Sequence, residues 1–385
     1  MISKKLQPFG TTIFSEMTQL AQEHDAINLS QGCPDFNGPE EVIEAAVKAL
    51  RSGDNQYARS MGHPKLVEAV ARHQKAFYGI ELDPFKEITV FSGATEGIAS
   101  SLLGLLNPGD EVVLFEPFFD SYPACIAMAG AVPKYCTLRF PDFAVDESKL
   151  ASLFTDKTRL LLLNTPHNPT GKVFTHDELS MIAELCRRYD VIAVTDEVYE
   201  HLVFGGNKHI PLSTFPGMRE RTLSLSSSGK TFSFTGWKIG WATGPASLIA
   251  AAQAAHQFVT FATATPLQAA MAYALDTLGE SFYNTFLQEY AERRSFLLSA
   301  LDAAGFKTAP PGGTYFILAD FSAIHKGDDQ AFVRDLIRTH HVAAIPPSVF
   351  YHDDLDEGRR LVRFAFCKRM DTLKAAGERL GRMKS

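Results

Sequence analysis

From about Glu87 onward, short apolar runs alternate with amphipathic stretches, and no other feature of the sequence narrows the fold as far. Strands and helices in that succession wind into a largely parallel sheet with helices on both faces. The runs predict seven strands, over 87–92, 111–115, 131–137, 159–164, 191–195, 222–225 and 239–243. Between the fourth and fifth, Thr175-His176-Asp177-Glu178 has the form of a capping box and opens a helix running to about Tyr189. Residues 164–171 then lie in a loop that follows a strand and precedes a helix. Sheets of this kind bind ligands at the carboxyl ends of their strands, where loops and helix N-termini converge. A long helical pattern from about Pro266 to Ala304 leads into a second unit, with short strands predicted over 314–320 and 360–366, against which the chain start is expected to pack.

At 385 residues the chain exceeds the size at which one hydrophobic core keeps growing, so two packed units are expected. The predicted fold class is α/β: a large domain over 41–274 with a mostly parallel, doubly wound seven-stranded sheet, and a smaller α+β domain built from 1–40 and 275–385. A net charge of -7 with no block of basic residues speaks against nucleic acid as a partner. No apolar stretch of signal-peptide length follows Lys4 and Lys5, and no run approaches membrane-spanning length. A soluble, cytoplasmic protein is expected. The cysteines Cys33, Cys125, Cys136, Cys186 and Cys367 are scattered without a C-x-x-C, and no histidines cluster at ligand spacing. Reduced thiols and no metal are expected.

Four segments carry candidate chemistry. Lys230 is the only charged residue between Arg221 and Lys238. An amine near other cations and out of water has a lowered pKa and becomes a nucleophile toward aldehydes; a lysine in a flexible Ser/Gly loop is the alternative. Asp196 directly follows the apolar run 191–195. A carboxylate there needs a cation or hydrogen-bond donors, and a protonated pyridine nitrogen would serve, although a helix cap would also explain it. In Gly93-Ala94-Thr95 a strand meets a helix, so backbone N–H groups can point at an anion, as they can in any such turn. Asn164 to Gly171 packs two prolines and a glycine into a rigid turn able to fix the Asn168 amide against a ligand oxygen, or simply to turn the chain.

Together and in this order, these segments resemble the fold-type I aminotransferases, whose motifs are a glycine-rich phosphate loop, N-P-x-N-P-T-G, D-E-x-Y and S-x-x-K. Residues 29–36, Asn55-Gln56-Tyr57, residues 116–122 and Val362-Arg363-Phe364 look like the branch containing kynurenine aminotransferases, glutamine transaminases and, most similar, bacterial methionine aminotransferases.

The resemblance implies pyridoxal 5'-phosphate (PLP) as cofactor, with Lys230 as the Schiff-base lysine and proton shuttle. It implies Asp196 at the pyridine nitrogen, Asn168 and Tyr199 at the phenolic oxygen, and Phe119 stacked on the ring. The phosphate would be held by the Gly93 loop through Ala94 and Thr95, by Ser227 and Lys238, and by Tyr57 from a second subunit, which makes a homodimer the expected state. Arg363 would clamp the substrate carboxylate, while Gly32, Phe14, Asn168, Phe261 and Phe350 would line the substrate side. Arg59 is the nearby cation whose direction would matter to an acidic substrate. Relatives also suggest cis bonds at Glu116-Pro117 and Asn168-Pro169. Cys33 and Phe14 depart from the branch's commoner residues and bear on substrate preference. Competing readings are a PLP-dependent carbon-sulfur β-lyase on the same fold, a regulator carrying an aminotransferase-like domain, and a doubly wound protein with an unrelated ligand. Keto-acid dependence separates a transferase from a lyase. The short stretch before Gly32 leaves no room for a helix-turn-helix.

Overall fold

The computed structural model of the protein describes residues 2–10 and 12–384. Its strands are β1 (Ile27–Asn28), β2 (Ile88–Phe91), β3 (Glu111–Glu116), β4 (Val132–Thr137), β5 (Thr158–Asn164), β6 (Ile192–Asp196), β7 (Thr222–Ser227), β8 (Gly240–Thr243), β9 (Lys307–Thr308), β10 (Phe316–Asp320), β11 (Val342–Ala343) and β12 (Leu361–Ala365). β2 to β8 form one seven-stranded sheet in the order β2-β8-β7-β6-β5-β3-β4. β3 through β7 run parallel, whereas β8 is antiparallel to both β7 and β2. Each strand lies within one or two residues of its predicted place. The reversal of β8 is the one feature of the sheet that strand propensity does not encode.

Alternate residues of the central strands point to opposite faces, so apolar side chains on both faces require helices on both. In β5, Leu160 and Leu162 enter a core shared with helices Ala94–Leu105, Ser121–Ala129 and Ala246–Val259. Leu161 and Leu163 face the other way, into a core shared with helix His176–Arg188. The capping box of that helix forms as predicted: Glu178 N–H donates to Thr175 Oγ1 at 3.2 Å and Thr175 N–H to Glu178 Oε2 at 2.9 Å.

The helical pattern from Pro266 to Ala304 is two helices, not one. Thr265–Thr277 ends where Leu278 turns extended, and Glu280–Ala304 begins after Gly279. The reason is packing: the first buries Ala270, Met271 and Ala274 against Val42, Val67 and Trp241, while the second buries Tyr290, Leu297 and Leu301 in a different core. That second core surrounds a small antiparallel sheet, β12-β10-β9, and the pair β1-β11, in which the chain start lies parallel to a segment near its end. No helix among the described residues is long and apolar enough to cross a membrane.

Candidate active site

β5, β6 and β7 end side by side, and their last residues, Asn164, Asp196 and Ser227, line one cleft. Asp196 closes β6 and is buried; Tyr122 Oη donates to its Oδ2 at 2.7 Å and the Val198 N–H to its Oδ1 at 3.3 Å. Burial pushes its carboxyl pKa up, against the opposing pull of the Tyr122 bond. A cation placed against it would relieve that strain. Asn164, the last residue of β5, ties the neighbourhood together: its Nδ2 donates to Asp196 O at 2.8 Å and its Oδ1 accepts from the Asn168 N–H at 2.7 Å.

Lys230 sits in the single helical turn Ser228–Thr231 that follows β7, opened by Ser227, whose hydroxyl accepts from the Gly229 N–H at 3.1 Å. Its ammonium lies 5.8 Å from the Tyr199 ring and 5.6 Å from the Tyr315 ring, and 3.5 Å from Gly32 O. Burial lowers its pKa, so it gives up its proton more easily than a surface lysine.

At the far end of the cleft, helix Ala94–Leu105 presents its N-terminus. Gly93, its N-cap, has φ +82, and a Cβ there would lie 2.9 Å from Lys238 Cε and 3.0 Å from Lys238 Nζ. The positive φ favours glycine here, and its lack of a side chain leaves room for the Lys238 ammonium to lie against the loop. Ala94, Thr95, Ser227 and Lys238 line this end, which therefore combines a helix N-terminus, a hydroxyl and an ammonium, the donor set of a phosphate site. The residues present fit PLP: this end would take its phosphate, Asp196 would pair with its basic ring nitrogen and Lys230 would meet its aldehyde carbon.

A second opening adjoins the first across Phe119, Asn168, Tyr199 and Lys230 and is completed by Phe14, Gln31, Gly32, Cys33, Phe316 and Arg363. Arg363 is 1% exposed, a state an arginine tolerates only with partners. Its Nη1 donates to Asn168 Oδ1 at 3.1 Å and its Nη2 to Ser30 O at 2.8 Å, while its Nε is buried with no partner. Phe316 stacks 4.1 Å from the guanidinium, with Phe14 and Phe350 each at 5.3 Å. Burial lowers its pKa to about 10, so it stays charged and short of anionic partners.

The structure thus brings together ten predicted cofactor residues around one cleft, all except Tyr57. Tyr57 is 83% exposed and meets Phe261, itself 48% exposed, edge-on at 5.2 Å. Phe261 is therefore not brought to the substrate opening of its own subunit. Phe350 is buried, lies 5.3 Å from the Arg363 guanidinium and is not among the residues lining the opening. Gly32 lines the opening as expected, and a Cβ on it would collide with Phe316 and Tyr315. Sequence reasoning missed Tyr122 as the partner of Asp196, Tyr315, whose hydroxyl donates to Gly32 O at 2.6 Å, and Phe316. Tyr122 stood in a quoted motif but lies 74 residues from Asp196, and nothing local signals the pair. Glu116-Pro117 and Asn168-Pro169 are cis, as are Phe140-Pro141 and Thr165-Pro166. Spacing also concealed a buried cluster in which ligand-type atoms of His73, Glu200 and His201 lie within 4.8 Å of one another. His73 Nε2 and His201 Nε2 share a hydrogen bond of 2.9 Å, Glu200 accepts from Tyr78 and Ser226, and His73 Nδ1 is buried without a partner.

His167, in the loop carrying Asn168, is buried with its pKa lowered to about 3, by burial first and by Lys172 second. A folded pKa below the unfolded 6.5 means that the unfolded chain binds the proton better, so the stability it contributes is present above pH 6.5 and lost as pH falls toward 3. The full shift corresponds to ~5 kcal/mol. Urea unfolding at pH 7.5 and 4.5 should show a smaller loss between the two for His167→Asn than for the unaltered protein. Equal losses would assign the acid sensitivity elsewhere.

The family model for aminotransferase class I and II matches residues 24–380. This chain belongs to that family. It is 43% identical to a probable N-succinyldiaminopimelate aminotransferase of Mycobacterium tuberculosis over 99% of this chain and 98% of that one. It is 39% identical to a kynurenine–oxoglutarate transaminase of Dictyostelium discoideum, over 99% and 96% of the two chains. A solved Escherichia coli structure described by its methionine aminotransferase function superposes with a TM-score of 0.95 at 40% identity, covering 99% of each chain. The protein is therefore an aminotransferase that depends on PLP and acts on amino and oxo acids.

Proposed function

We propose that this aminotransferase moves the amino group of methionine, aromatic or related neutral amino acids to a 2-oxo acid by a ping-pong mechanism. The observation that carries the proposal is the lining of the substrate opening: Phe14, Phe119, Tyr199 and Phe316 wall it, and its only cations are Lys230 and Arg363. Arg59 does not supply a third, since its guanidinium lies over the Phe85 ring at 5.2 Å. With Arg363 taken by the α-carboxylate, a second carboxylate would lose hydration without a partner, at a cost of several kcal/mol, roughly. A thioether gains burial and sulfur–aromatic contact instead.

Bound PLP supplies an electron sink for the pair left when the α-proton departs. In this account Lys230 Nζ takes that proton and returns it, because its lowered pKa keeps a larger neutral fraction available. Asp196 keeps a negative charge at the ring nitrogen, held in place by Tyr122. Asn168 and Tyr199 would hold the phenolic side of the bound cofactor, and Phe119 would lie against its ring. Arg363 fixes the substrate carboxylate, so that one bond at the α-carbon faces Lys230.

Substrate choice is tested by kcat/KM for methionine, phenylalanine, glutamine, aspartate and N-succinyldiaminopimelate with one common oxo acid. Methionine and phenylalanine should exceed aspartate by about a hundredfold, the size of an unpaired buried charge of several kcal/mol. Aspartate or N-succinyldiaminopimelate equalling methionine would show that the pocket gains a cation this proposal omits.

The working unit is proposed to be a cytoplasmic homodimer. Tyr57, Phe258, Val259 and Phe261 form a group of exposed apolar side chains, 83%, 86%, 57% and 48% accessible, which supports burial against a second copy. Each chain is proposed to divide into a large domain over 41–274 and a small one from both ends. Light scattering should give twice the monomer mass, and mixing inactive Lys230→Ala with Tyr57→Phe subunits should restore partial activity. A monomeric active species would refute the shared site.

A further inference from the structure

The last residue of β3, Glu116, lies outside the cofactor cleft and is fully buried. Its carboxylate accepts four hydrogen bonds from neutral donors: at Oε1 from Thr137 Oγ1 at 2.7 Å and the Asp354 N–H at 3.2 Å, and at Oε2 from the His352 N–H at 2.6 Å and the Asp353 N–H at 3.0 Å. Three successive backbone N–H groups thus converge on one carboxylate, which a neutral side chain of the same shape cannot reproduce. The segment so held follows the 3-10 turn Pro347–Phe350, which carries Phe350. Neighbouring contacts pull the same way. The Phe118 N–H donates to Phe350 O at 2.8 Å, and Tyr135 stacks on His352 at 4.8 Å. Phe350 in turn lies 5.3 Å from the Arg363 guanidinium and 6.0 Å from the Phe14 ring. The end of one strand therefore leads to Phe119, which lines the cleft, and carries the anchor for the segment whose Phe350 meets Arg363.

We propose that Glu116 is a positioning residue for recognition of the substrate carboxylate: it ties residues 352–354 to the end of β3 and so sets Phe350 against the Arg363 guanidinium. The inference rests on the reading of Arg363 as the carboxylate clamp. Amino donor and oxo acid meet the same guanidinium in the two half-reactions, so slackening its support raises both KM values by the same factor. A displacement near 1 Å is enough for a large effect.

The test uses Glu116→Ala and Glu116→Gln as holoenzymes. Glu116→Ala should raise KM for methionine and for the oxo acid about tenfold each, with kcat changed less and the absorbance of the bound cofactor unaltered. Glu116→Gln keeps one carbonyl acceptor but turns an amide N–H toward a backbone donor, and should fall between. Should the alanine variant fail to fold, the glutamine variant carries the test. Phe350→Leu should reproduce the paired KM rise, and the double variant Glu116→Gln with Phe350→Leu should be less than additive. Unchanged KM values with a lower kcat or altered cofactor absorbance would overturn the proposal, as would strict additivity. If Arg363→Ala leaves KM unmoved, the clamp reading fails instead.

Discussion

Lys230→Ala is expected to abolish transamination while the protein still takes up PLP. Retention is expected because the helix N-terminus at Ala94, with Ser227, Lys238, Asp196 and Asn168, surrounds the cleft independently of Lys230. The loss has two parts. General-base transfer by a positioned group contributes roughly a hundred- to ten-thousand-fold, and the amine also supplies the covalent attachment. Added methylamine should restore a small part of the rate, since it replaces the base without its position. Activity within tenfold of the unaltered enzyme would show that another group moves the proton; cofactor lost entirely would show that the remaining contacts are weaker than the geometry suggests.

Arg363→Lys is expected to lower kcat/KM by about a hundredfold or more for every substrate, and Arg363→Ala by more again. The guanidinium lines the substrate opening, spends two nitrogens on Asn168 and Ser30 and keeps a buried Nε unpaired. Lysine carries the charge but not the planar fork, so it cannot hold Asn168, Ser30 and the substrate together. Charge-assisted hydrogen bonds of this kind contribute roughly 1.5–3 kcal/mol each. The measurement is KM and kcat with methionine and with its oxo-acid partner, because a clamp on the shared carboxylate must affect both. An effect confined to one substrate would place Arg363 at a side chain instead.

The sheet was legible because each of its strands is a short apolar or small-residue run bounded by turn residues, and the capping box at Thr175 fixed where one helix begins. Lys230, Asp196, Gly93 and Asn168 were legible for a related reason: each lies at or within a few residues of a strand's carboxyl end, where an α/β sheet gathers its ligand contacts. What was not legible depends on pairs far apart in the chain. Tyr122 meets Asp196 across 74 residues, and Glu116 meets Asp354 across 238. The break at Leu278 and Gly279 was hidden because both halves keep helical patterning and differ only in the core they face. Phe350 was placed at the substrate pocket; it is buried against Arg363 and Phe14 and does not itself line the opening of this subunit. Aromatic character identifies a buried wall; it does not tell which side of the wall the ligand occupies.

The most direct test of the account is chemical fixation of the cofactor. Borohydride reduction of the holoenzyme, followed by digestion and mass mapping, should place the phosphopyridoxyl group on Lys230 and on no other lysine. The same treatment after excess methionine should leave Lys230 unmodified, because the amino acid has displaced it. An adduct on Lys238, or on any lysine outside the cleft, or an adduct at Lys230 that methionine does not remove, would contradict the assignment on which the rest depends.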